Sequence, residues 1–290
     1  MPETAQPTKI DSVSQERGPG PATRVVGVIG SPVRHSLSPV IHNAAFRALG
    51  LDWVYLAFEV APGAGGAAVE AVRGLGLEGL NVTRPHKDVA AAAVDRLSPV
   101  AARLGAVNTV VRDGAVLVGD NTDGAGFIDA LAAGHDFRPA DRHCVVLGGG
   151  GAARAVALAL GEAGAAGVVV VARRPAQAEV AARMGGAAGR AGTAADVEGA
   201  DLVVNATPVT DRLPLDLDPA HLVAGQLVVE LSYQPPVSAL LAAARSRGAV
   251  TANGVGMLVH QAARSFEMWT GREAPLAAMR QAVAAELAGR

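Results

Sequence analysis

Lysine is almost absent from this chain, and the lysine at position 87 is a candidate for proton chemistry. The 290 residues include 25 Lys and Arg, of which only Lys9 and Lys87 are lysines. An amine can lose its proton, which a guanidinium cannot do at ordinary pH. A GC-rich coding bias toward Arg is the alternative explanation. Position 87 is therefore a candidate acid–base residue on composition alone.

A glycine-rich segment has the spacing of a dinucleotide-binding turn. The apolar run His143 to Leu147 leads into GGGGAA at 148–153, after which the pattern becomes helical. This fits G-x-G-x-x-A, in which the glycines allow a tight turn and close approach of a pyrophosphate to the helix N-terminus. In a chain with 35 glycines, a purely structural turn is the alternative. The residues predicted to bind a dinucleotide are Gly148, Gly150, Gly151, Ala152 and Ala153.

Two arginines after the next predicted strand favour NADP over NAD. A site for NAD usually has an acidic residue there, which hydrogen-bonds to the ribose 2′-hydroxyl. This chain has Arg173 and Arg174 instead, and guanidinium groups suit a 2′-phosphate through charge-assisted contacts. The alternative is a pair of arginines that simply begins an exposed helix.

Composition excludes several classes of protein. Half of the residues are hydrophobic and 18% are charged, which excludes a chain that is disordered throughout. A single cysteine, Cys144, excludes a disulfide scaffold. The net charge of −2 and the 3% aromatic content favour neither nucleic acid nor a membrane surface as a partner. We expect a cytoplasmic protein because no signal peptide is recognisable.

Apolar runs predict strands that alternate with helices along most of the chain, which implies a parallel sheet with helices on both faces. The predicted fold is α/β and two-lobed. A substrate lobe is expected at 23–123 and 256–290, a Rossmann-type doubly wound dinucleotide-binding lobe at 124–255, and a disordered tail at 1–22. Asp113-Gly114 predicts a hairpin turn, and Ser38 is expected to cap the helix that runs to about Leu49.

Seven motifs occur along the chain: GSPVRHSLSP at 30–39, NVTRPHK at 81–87, GAVNT at 105–109, NTDG at 121–124, GGAAR at 150–154, NATP at 205–208 and GMLVHQA at 256–262. They resemble motifs of the shikimate dehydrogenase family, occur in the family's order and together cover roughly Val25 to Trp269. The resemblance implies reversible, NADP-dependent reduction of 3-dehydroshikimate to shikimate, with a small molecule as partner and no metal. A homodimer is a candidate assembly.

The same resemblance implies roles for individual residues. Lys87 and Asp123 match the catalytic pair, and a lysine beside a carboxylate can donate and accept the proton. Hydroxyls before a helix suit a carboxylate, and amides suit ring hydroxyls. The structural alternatives are capping for the serines and Asp123, turn formation for the asparagines, and burial under a loop for the tyrosine. The implied substrate contacts are Ser36, Ser38, Asn81, Thr83, Asn108, Tyr233 and Gln261. The further implied cofactor contacts are Asn205, Thr207, Gly254 and Met257.

Some positions depart from the family's usual residues. The family often has Asn-Arg-Thr where this chain has Ala-Arg-Arg at 172–174, and Glu230 stands where Asp is usual. Arg84 and His86 replace apolar or aromatic residues near the expected substrate, which could widen substrate choice toward quinate. Two rival functions therefore stay open: an NAD-linked quinate/shikimate dehydrogenase, and a non-catalytic regulatory protein that binds a dinucleotide.

Overall fold

Two six-stranded sheets with flanking helices make up residues 18–289, which a computed structural model describes. The predicted tail at 1–22 lies mostly outside these residues. The strands are β1 (Arg24–Gly30), β2 (Trp53–Glu59), β3 (Gly79–Val82), β4 (Arg96–Leu97), β5 (Thr109–Asp113), β6 (Val116–Asp120), β7 (His143–Leu147), β8 (Gly167–Val171), β9 (Gly189–Ala191), β10 (Leu202–Asn205), β11 (Leu227–Glu230) and β12 (Val250–Ala252). The α-helices are α1 (Ser38–Ala48), α2 (Gly65–Gly74), α3 (Lys87–Ala93), α4 (Pro99–Leu104), α5 (Asp123–His135), α6 (Gly151–Glu162), α7 (Pro175–Ala182), α8 (Ala239–Ser246), α9 (Val255–Thr270) and α10 (Leu276–Ala288).

The first sheet has the order β2-β1-β3-β5-β6-β4 and mixes strand directions. β1 is parallel to β2 and β3, whereas β5 is antiparallel to β3 and β6. The predicted hairpin turn between β5 and β6 is confirmed, with Gly114 at a φ of +63° that favours glycine. The parallel strands bring the ends of β1 and β3 to one edge of the sheet.

The second sheet has the order β12-β11-β10-β7-β8-β9, and all its strands are parallel. This is the doubly wound strand order of a Rossmann fold. The order in which the chain adds strands to the sheet reverses between β7 and β10, although the two strands are parallel. The predicted α/β fold is therefore confirmed. The sequence did not predict β4, β9 and β12, because edge strands of two or three residues are too short for a recognisable apolar pattern.

The chain passes from the first sheet to the second through α5 and returns through α9. These two helices pack closely because α5 has glycines at its contact points. A Cβ atom on Gly126 would lie 2.5 Å from the backbone nitrogen of Gln261 in α9. A Cβ atom on Gly124 would lie 2.7 Å from the Ala155 carbonyl oxygen in α6. The backbone of α5 is thus held between helices of both halves.

The expected cap of α1 is wrong by one residue. Leu37 occupies the cap position and Ser38 is the first helical residue. The Ser38 backbone N–H instead donates to Ser36 Oγ at 3.2 Å, so the earlier serine satisfies it. This arrangement leaves the Ser38 hydroxyl available to the interior.

A buried aromatic cluster supports the loop that follows β1. His42 of α1 stacks on Tyr55 of β2 with ring centroids 4.3 Å apart, and it also contacts Trp269 of α9. Neither ring nitrogen of His42 has a hydrogen-bond partner among residues 18–289. Burial lowers the pKa of His42 to about 3, although the nearby Asn81 partly opposes this effect. The folded protein therefore keeps this imidazole neutral.

Replacing Gly126 by alanine tests the close packing of α5 on α9. We expect the free energy of unfolding to fall by about 1–3 kcal/mol, because the added methyl group meets backbone that cannot move aside. Gly134→Ala is the matched control in the same helix, since a Cβ atom there meets nothing within 4 Å. That variant should gain up to about 1 kcal/mol. Urea unfolding of both variants measures the difference, and equal effects would contradict the packing.

Replacing His42 by phenylalanine tests the buried neutral imidazole. The folded pKa lies below the unfolded value of 6.5, so this histidine's contribution to stability is fully present above pH 6.5. It is lost as the pH falls toward 3, because the unfolded state takes up the proton first. At pH 5 the loss amounts to about 2 kcal/mol. Unfolding measured at pH 7.5 and pH 5 should show a smaller loss in the variant, and an identical loss would refute the assignment.

Candidate active site

A cleft of about 820 Å³ lies where the carboxyl ends of the two sheets meet. The loops after β1 and β3 form one wall, and the loop after β11 with the start of α9 forms the other. Ligands of open α/β sheets bind at such strand ends. The cleft is lined by both predicted catalytic residues, all seven predicted substrate contacts and two predicted cofactor contacts: Lys87, Asp123, Ser36, Ser38, Asn81, Thr83, Asn108, Tyr233, Gln261, Gly254 and Met257.

Lys87 and Asp123 form an ion pair inside this cleft. The Lys87 Nζ atom donates to Asp123 Oδ2 at 2.5 Å, and the two side chains are 25% and 12% exposed. Lys87 is the first residue of α3, directly after the loop that ends β3. Asp123 is the first residue of α5, where the helix N-terminus favours a negative charge. The pair thus presents an amine to the cleft beside a fixed carboxylate.

The Asn108 amide fixes the other oxygen of this carboxylate. Its Nδ2 atom donates to Asp123 Oδ1 at 2.8 Å and to Thr122 Oγ1 at 3.0 Å. Its Oδ1 atom accepts from the backbone N–H of Thr122 at 2.8 Å and from the hydroxyl of Thr109 at 2.9 Å. Both ends of the Asn108 amide are therefore engaged by protein groups. Its immediate role is to orient Asp123, and its predicted contact with substrate stays a prediction.

Asn81 links the pair to the opposite end of the cleft. Its Oδ1 atom accepts from the Tyr55 hydroxyl at 2.8 Å. Burial raises the pKa of Tyr55 well above its usual range, and a hydrogen bond from Ser38 partly opposes this rise. Tyr55 therefore acts as a neutral donor. The predicted substrate contacts Ser38 and Asn81 are joined through it, beneath the cleft.

The glycine-rich turn leaves room for a pyrophosphate at the start of α6. Gly148 has a φ of +125° and packs against the backbone of Ala206. A residue with a side chain would be strained in this conformation. Cβ atoms on Gly150 and Gly151 would meet nothing within 4 Å, so this side of the turn is open. Ala153 is fully buried against the sheet. The turn thus has the shape that a dinucleotide requires.

Asn205 acts from beneath the neighbouring loop rather than at its surface. Its fully buried side chain donates to Glu230 Oε2 at 2.7 Å and to the Val209 carbonyl oxygen at 3.0 Å. Its Oδ1 atom accepts from the backbone N–H and the hydroxyl of Thr207. This geometry makes Asn205 a support for Thr207, which stays a predicted cofactor contact. Burial raises the pKa of Glu230 despite the hydrogen bond from Asn205.

The remaining predicted contacts divide between the surface and the core. Arg173 and Arg174 are exposed directly after β8, at the start of α7, as a contact to a 2′-phosphate requires. Arg84 is exposed and lines the cleft. His86, expected near the substrate, is instead buried, with Nε2 2.8 Å from the Val60 carbonyl oxygen. Of the two departures from the family pattern in this loop, only Arg84 reaches the cleft.

Several residues that hold the site together were not predicted. Tyr55 and Ser265 are fully buried and bond to the side chain of Asn81. Spacing offers one signal that could have found Ser265, because it lies four residues after Gln261 on a helix and shares its face. Tyr55 offers no such signal, since its partner lies 26 residues away on another strand.

Within residues 18–289 there is no group of three or more His, Cys, Asp or Glu side chains that could bind a metal ion. In the same range, none of the helices is long and apolar enough to cross a membrane.

Three family models match separate parts of this chain. Residues 28–110 match the shikimate dehydrogenase substrate binding domain. Residues 254–284 match the shikimate 5′-dehydrogenase C-terminal domain. Residues 137–212, which contain the glycine-rich turn, match an NAD(P)-binding family.

Curated relatives and solved structures agree with these matches. The chain is 46% identical over 273 residues to the shikimate dehydrogenase (NADP(+)) of Moorella thermoacetica, covering 89% of this chain and 92% of that protein. The shikimate 5-dehydrogenase of Thermus thermophilus, solved with NADP(H) and shikimate, has a TM-score of 0.84 at 38% identity, covering 90% of this chain and 99% of that one. Quinate dehydrogenase of Corynebacterium glutamicum, solved with NAD, has a TM-score of 0.82 at 32% identity over 91% and 99% of the chains. The chain therefore belongs to the shikimate dehydrogenase family.

Proposed function

We propose that this cleft reduces 3-dehydroshikimate reversibly to shikimate with NADPH, and that Lys87 and Asp123 handle the proton. The observation that carries the proposal is the ion pair itself. It lies in the cleft between the two sheets, with the predicted substrate contacts around it and the dinucleotide turn in the second sheet. A protein that only sensed a dinucleotide would need no such pair. This disfavours the non-catalytic alternative.

The substrate carboxylate is assigned to the end of the cleft at Ser36 and Ser38. The loop that carries them is anchored by a hydrogen bond of 3.1 Å from the Val33 backbone N–H to Glu59 Oε2. Two hydroxyls at the start of α1 form a suitable anion site, because the helix N-terminus adds a partial positive charge. Tyr233 approaches from the opposite wall. The ring then extends toward Lys87, with Asn81, Thr83 and Gln261 available to its hydroxyls.

Lys87 acts on the oxygen of the reacting carbonyl group. As an ammonium it donates a proton or hydrogen bond to this oxygen during reduction, and as an amine it accepts one during oxidation. Asp123 holds the Nζ atom in place and balances its charge. Since Asn108 fixes Asp123 from the other side, the lysine is oriented before the substrate arrives.

The second sheet holds the cofactor. Gly150 and Gly151 leave the start of α6 open to the pyrophosphate, and the exposed Arg173 and Arg174 are the proposed contacts to the 2′-phosphate. When bound, NADPH supplies the hydride that adds to the carbonyl carbon. Gly254 and Met257 line the cleft where the two halves meet, so they are suited to border the nicotinamide end.

Quinate with NAD is the rival pair of ligands, and Arg84 is the observation that keeps it open. This exposed cation lies at the cleft where the family commonly has an apolar residue. Initial rates with shikimate and quinate, each with NADP and NAD, separate the alternatives. We expect kcat/KM for shikimate with NADP to exceed that of each other pair by at least about tenfold. A preference for quinate with NAD would overturn it.

The cytoplasmic location and the homodimer stay predictions. A reducing compartment is consistent with the one cysteine, Cys144, which is buried and unpaired.

Substitution of Lys87 separates a proton role from simple charge. If the compact amine is needed, Lys87→Arg should lose activity nearly as severely as Lys87→Ala, with kcat reduced by about 10²–10⁴ in both. Binding of NADP, measured by titration, should change little because the cofactor site lies in the second sheet. An arginine variant that keeps more than about a tenth of wild-type kcat would contradict a proton role. A matching loss of NADP affinity would indicate a damaged fold instead.

Substitution of Arg173 and Arg174 tests the contact to the 2′-phosphate. Replacing both by alanine should raise KM for NADP and leave KM for NAD nearly unchanged. Each lost charge-assisted contact should cost about 1.5–3 kcal/mol of binding. Arg183→Ala serves as the control, since this arginine lies beyond α7, away from the turn. Equal losses for the two cofactors would rule out the assignment.

A further inference from the structure

Buried hydrogen bonds form a chain beneath the cleft that ends on the Asp123 carboxylate. The chain begins at the Tyr55 hydroxyl, which donates to Asn81 Oδ1 at 2.8 Å. The Asn81 Nδ2 atom donates to Ser265 Oγ at 3.0 Å. This oxygen lies 2.8 Å from Thr109 Oγ1. Ser265 is fully buried and does not line the cleft, so it reaches the site only through its neighbours.

Two further bonds lead from Thr109 to the carboxylate. The Thr109 hydroxyl donates to Asn108 Oδ1 at 2.9 Å, and Asn108 Nδ2 donates to Asp123 Oδ1 at 2.8 Å. The Ser265 hydroxyl has one proton and two acceptors within reach, Thr109 Oγ1 at 2.8 Å and the Gln261 carbonyl oxygen at 3.1 Å. Asn81 Nδ2 also donates directly to Thr109 Oγ1 and to the Asn108 carbonyl oxygen, both at 3.1 Å. Ser265 and Asn81 therefore contact the groups that orient Asp123 within one buried network.

We propose that Ser265 is a positioning residue for the reaction, whose hydroxyl is a buried partner of both Asn81 and Thr109 and so stabilises the groups that orient Asp123. The inference rests on the proposed function, because Ser265 matters only if Asp123 must hold Lys87. Without this hydroxyl, the Asn81 amide loses one acceptor and Thr109 loses one of its partners. Asn81 then has only Tyr55, Thr109 and the Asn108 carbonyl oxygen to hold it, so the network that orients the carboxylate becomes less rigid.

Ser265 lies on α9, the helix that also carries several residues of the cleft. Gln261, four residues earlier, lines the cleft on the same helix. Gly254 and Met257, at the start of the helix, line the cleft where the chain returns from the second sheet. One rigid helix therefore carries both the residues at the cofactor end of the cleft and a residue of the network that orients the Asp123 carboxylate.

If the Ser265 hydroxyl bonded only within its own helix, its removal should leave kcat unchanged. Ser265 Oγ also lies 3.1 Å from the Gln261 carbonyl oxygen, and such bonds to the preceding turn are common. Thr270, on the same helix, makes the equivalent bond to the Phe266 carbonyl oxygen at 2.8 Å. Thr270 lies outside the chain of hydrogen bonds, so it provides a matched control.

The test is steady-state kinetics with shikimate and NADP, together with thermal unfolding of each variant. We expect Ser265→Ala to lower kcat by about tenfold, the scale on which the loss of an outer partner affects an active-site group. KM for NADP should not change. Thr270→Ala should keep the wild-type kcat even if its melting temperature falls by as much as that of Ser265→Ala. Ser265→Cys retains a weak donor and should recover part of the lost rate.

A second variant keeps the proposal testable if Ser265→Ala does not fold. Thr109→Val removes the next link with little change in shape, and a reduced kcat at unchanged KM for NADP supports the proposal. Where both variants fold, the double variant should be no slower than the slower single variant, because both substitutions remove the same contact between Ser265 and Thr109. Wild-type kcat in either single variant, or losses that multiply, would overturn the proposal.

The proposed function is tested separately by Lys87→Ala in the same assay. If that variant is inactive while Ser265→Ala is fully active, only the role of Ser265 fails. If Lys87→Ala keeps wild-type activity, the proposed function fails and takes this inference with it.

Discussion

Asp123 is the first residue of the helix that carries the chain from one sheet to the other, and its carboxylate receives a donor on each oxygen. Lys87 binds one oxygen from the loop after β3, and Asn108 binds the other from the start of β5. A carboxylate with two fixed partners at a helix N-terminus has one orientation available. The Lys87 amine is held beside that carboxylate, so its position in the cleft depends on where α5 begins.

This constraint explains why α5 is packed so tightly. If the helix slid along its axis, the carboxylate would move with it and leave both partners. Gly124 and Gly126 allow helices of both halves to approach its backbone, which restricts such movement. The small residues of α5 therefore contribute to the chemistry indirectly, by holding the start of the helix where β3 and β5 can supply partners.

Much of the site was predictable because it is local in sequence. The turn at 148–153, the lysine at 87 and the arginines at 173 and 174 each carry their chemistry within a few residues, and the resemblance added Asp123 and the lining amides. What the sequence could not predict is pairing over distance. Tyr55, Asn81 and Ser265 come from three elements, and no spacing in the chain announces their contact. His86 shows that motif position can also mislead. Its place in the motif suggested a side chain near the substrate, but its ring is buried in the core.

The two halves of the cleft solve different problems, and their residue types reflect this. The second sheet must accept a dinucleotide, so it offers backbone N–H groups, open glycines and exposed arginines, whose contacts depend on shape and charge. The first sheet carries the candidate contacts for a small ring with several hydroxyl groups, and these are buried amides and hydroxyls that already bond to one another. A buried polar group without a partner is costly, so such a set is stable only if the members satisfy each other before the substrate binds. The chain from Tyr55 to Asp123 meets that requirement, which is why residues that never touch the substrate belong to the architecture of the site.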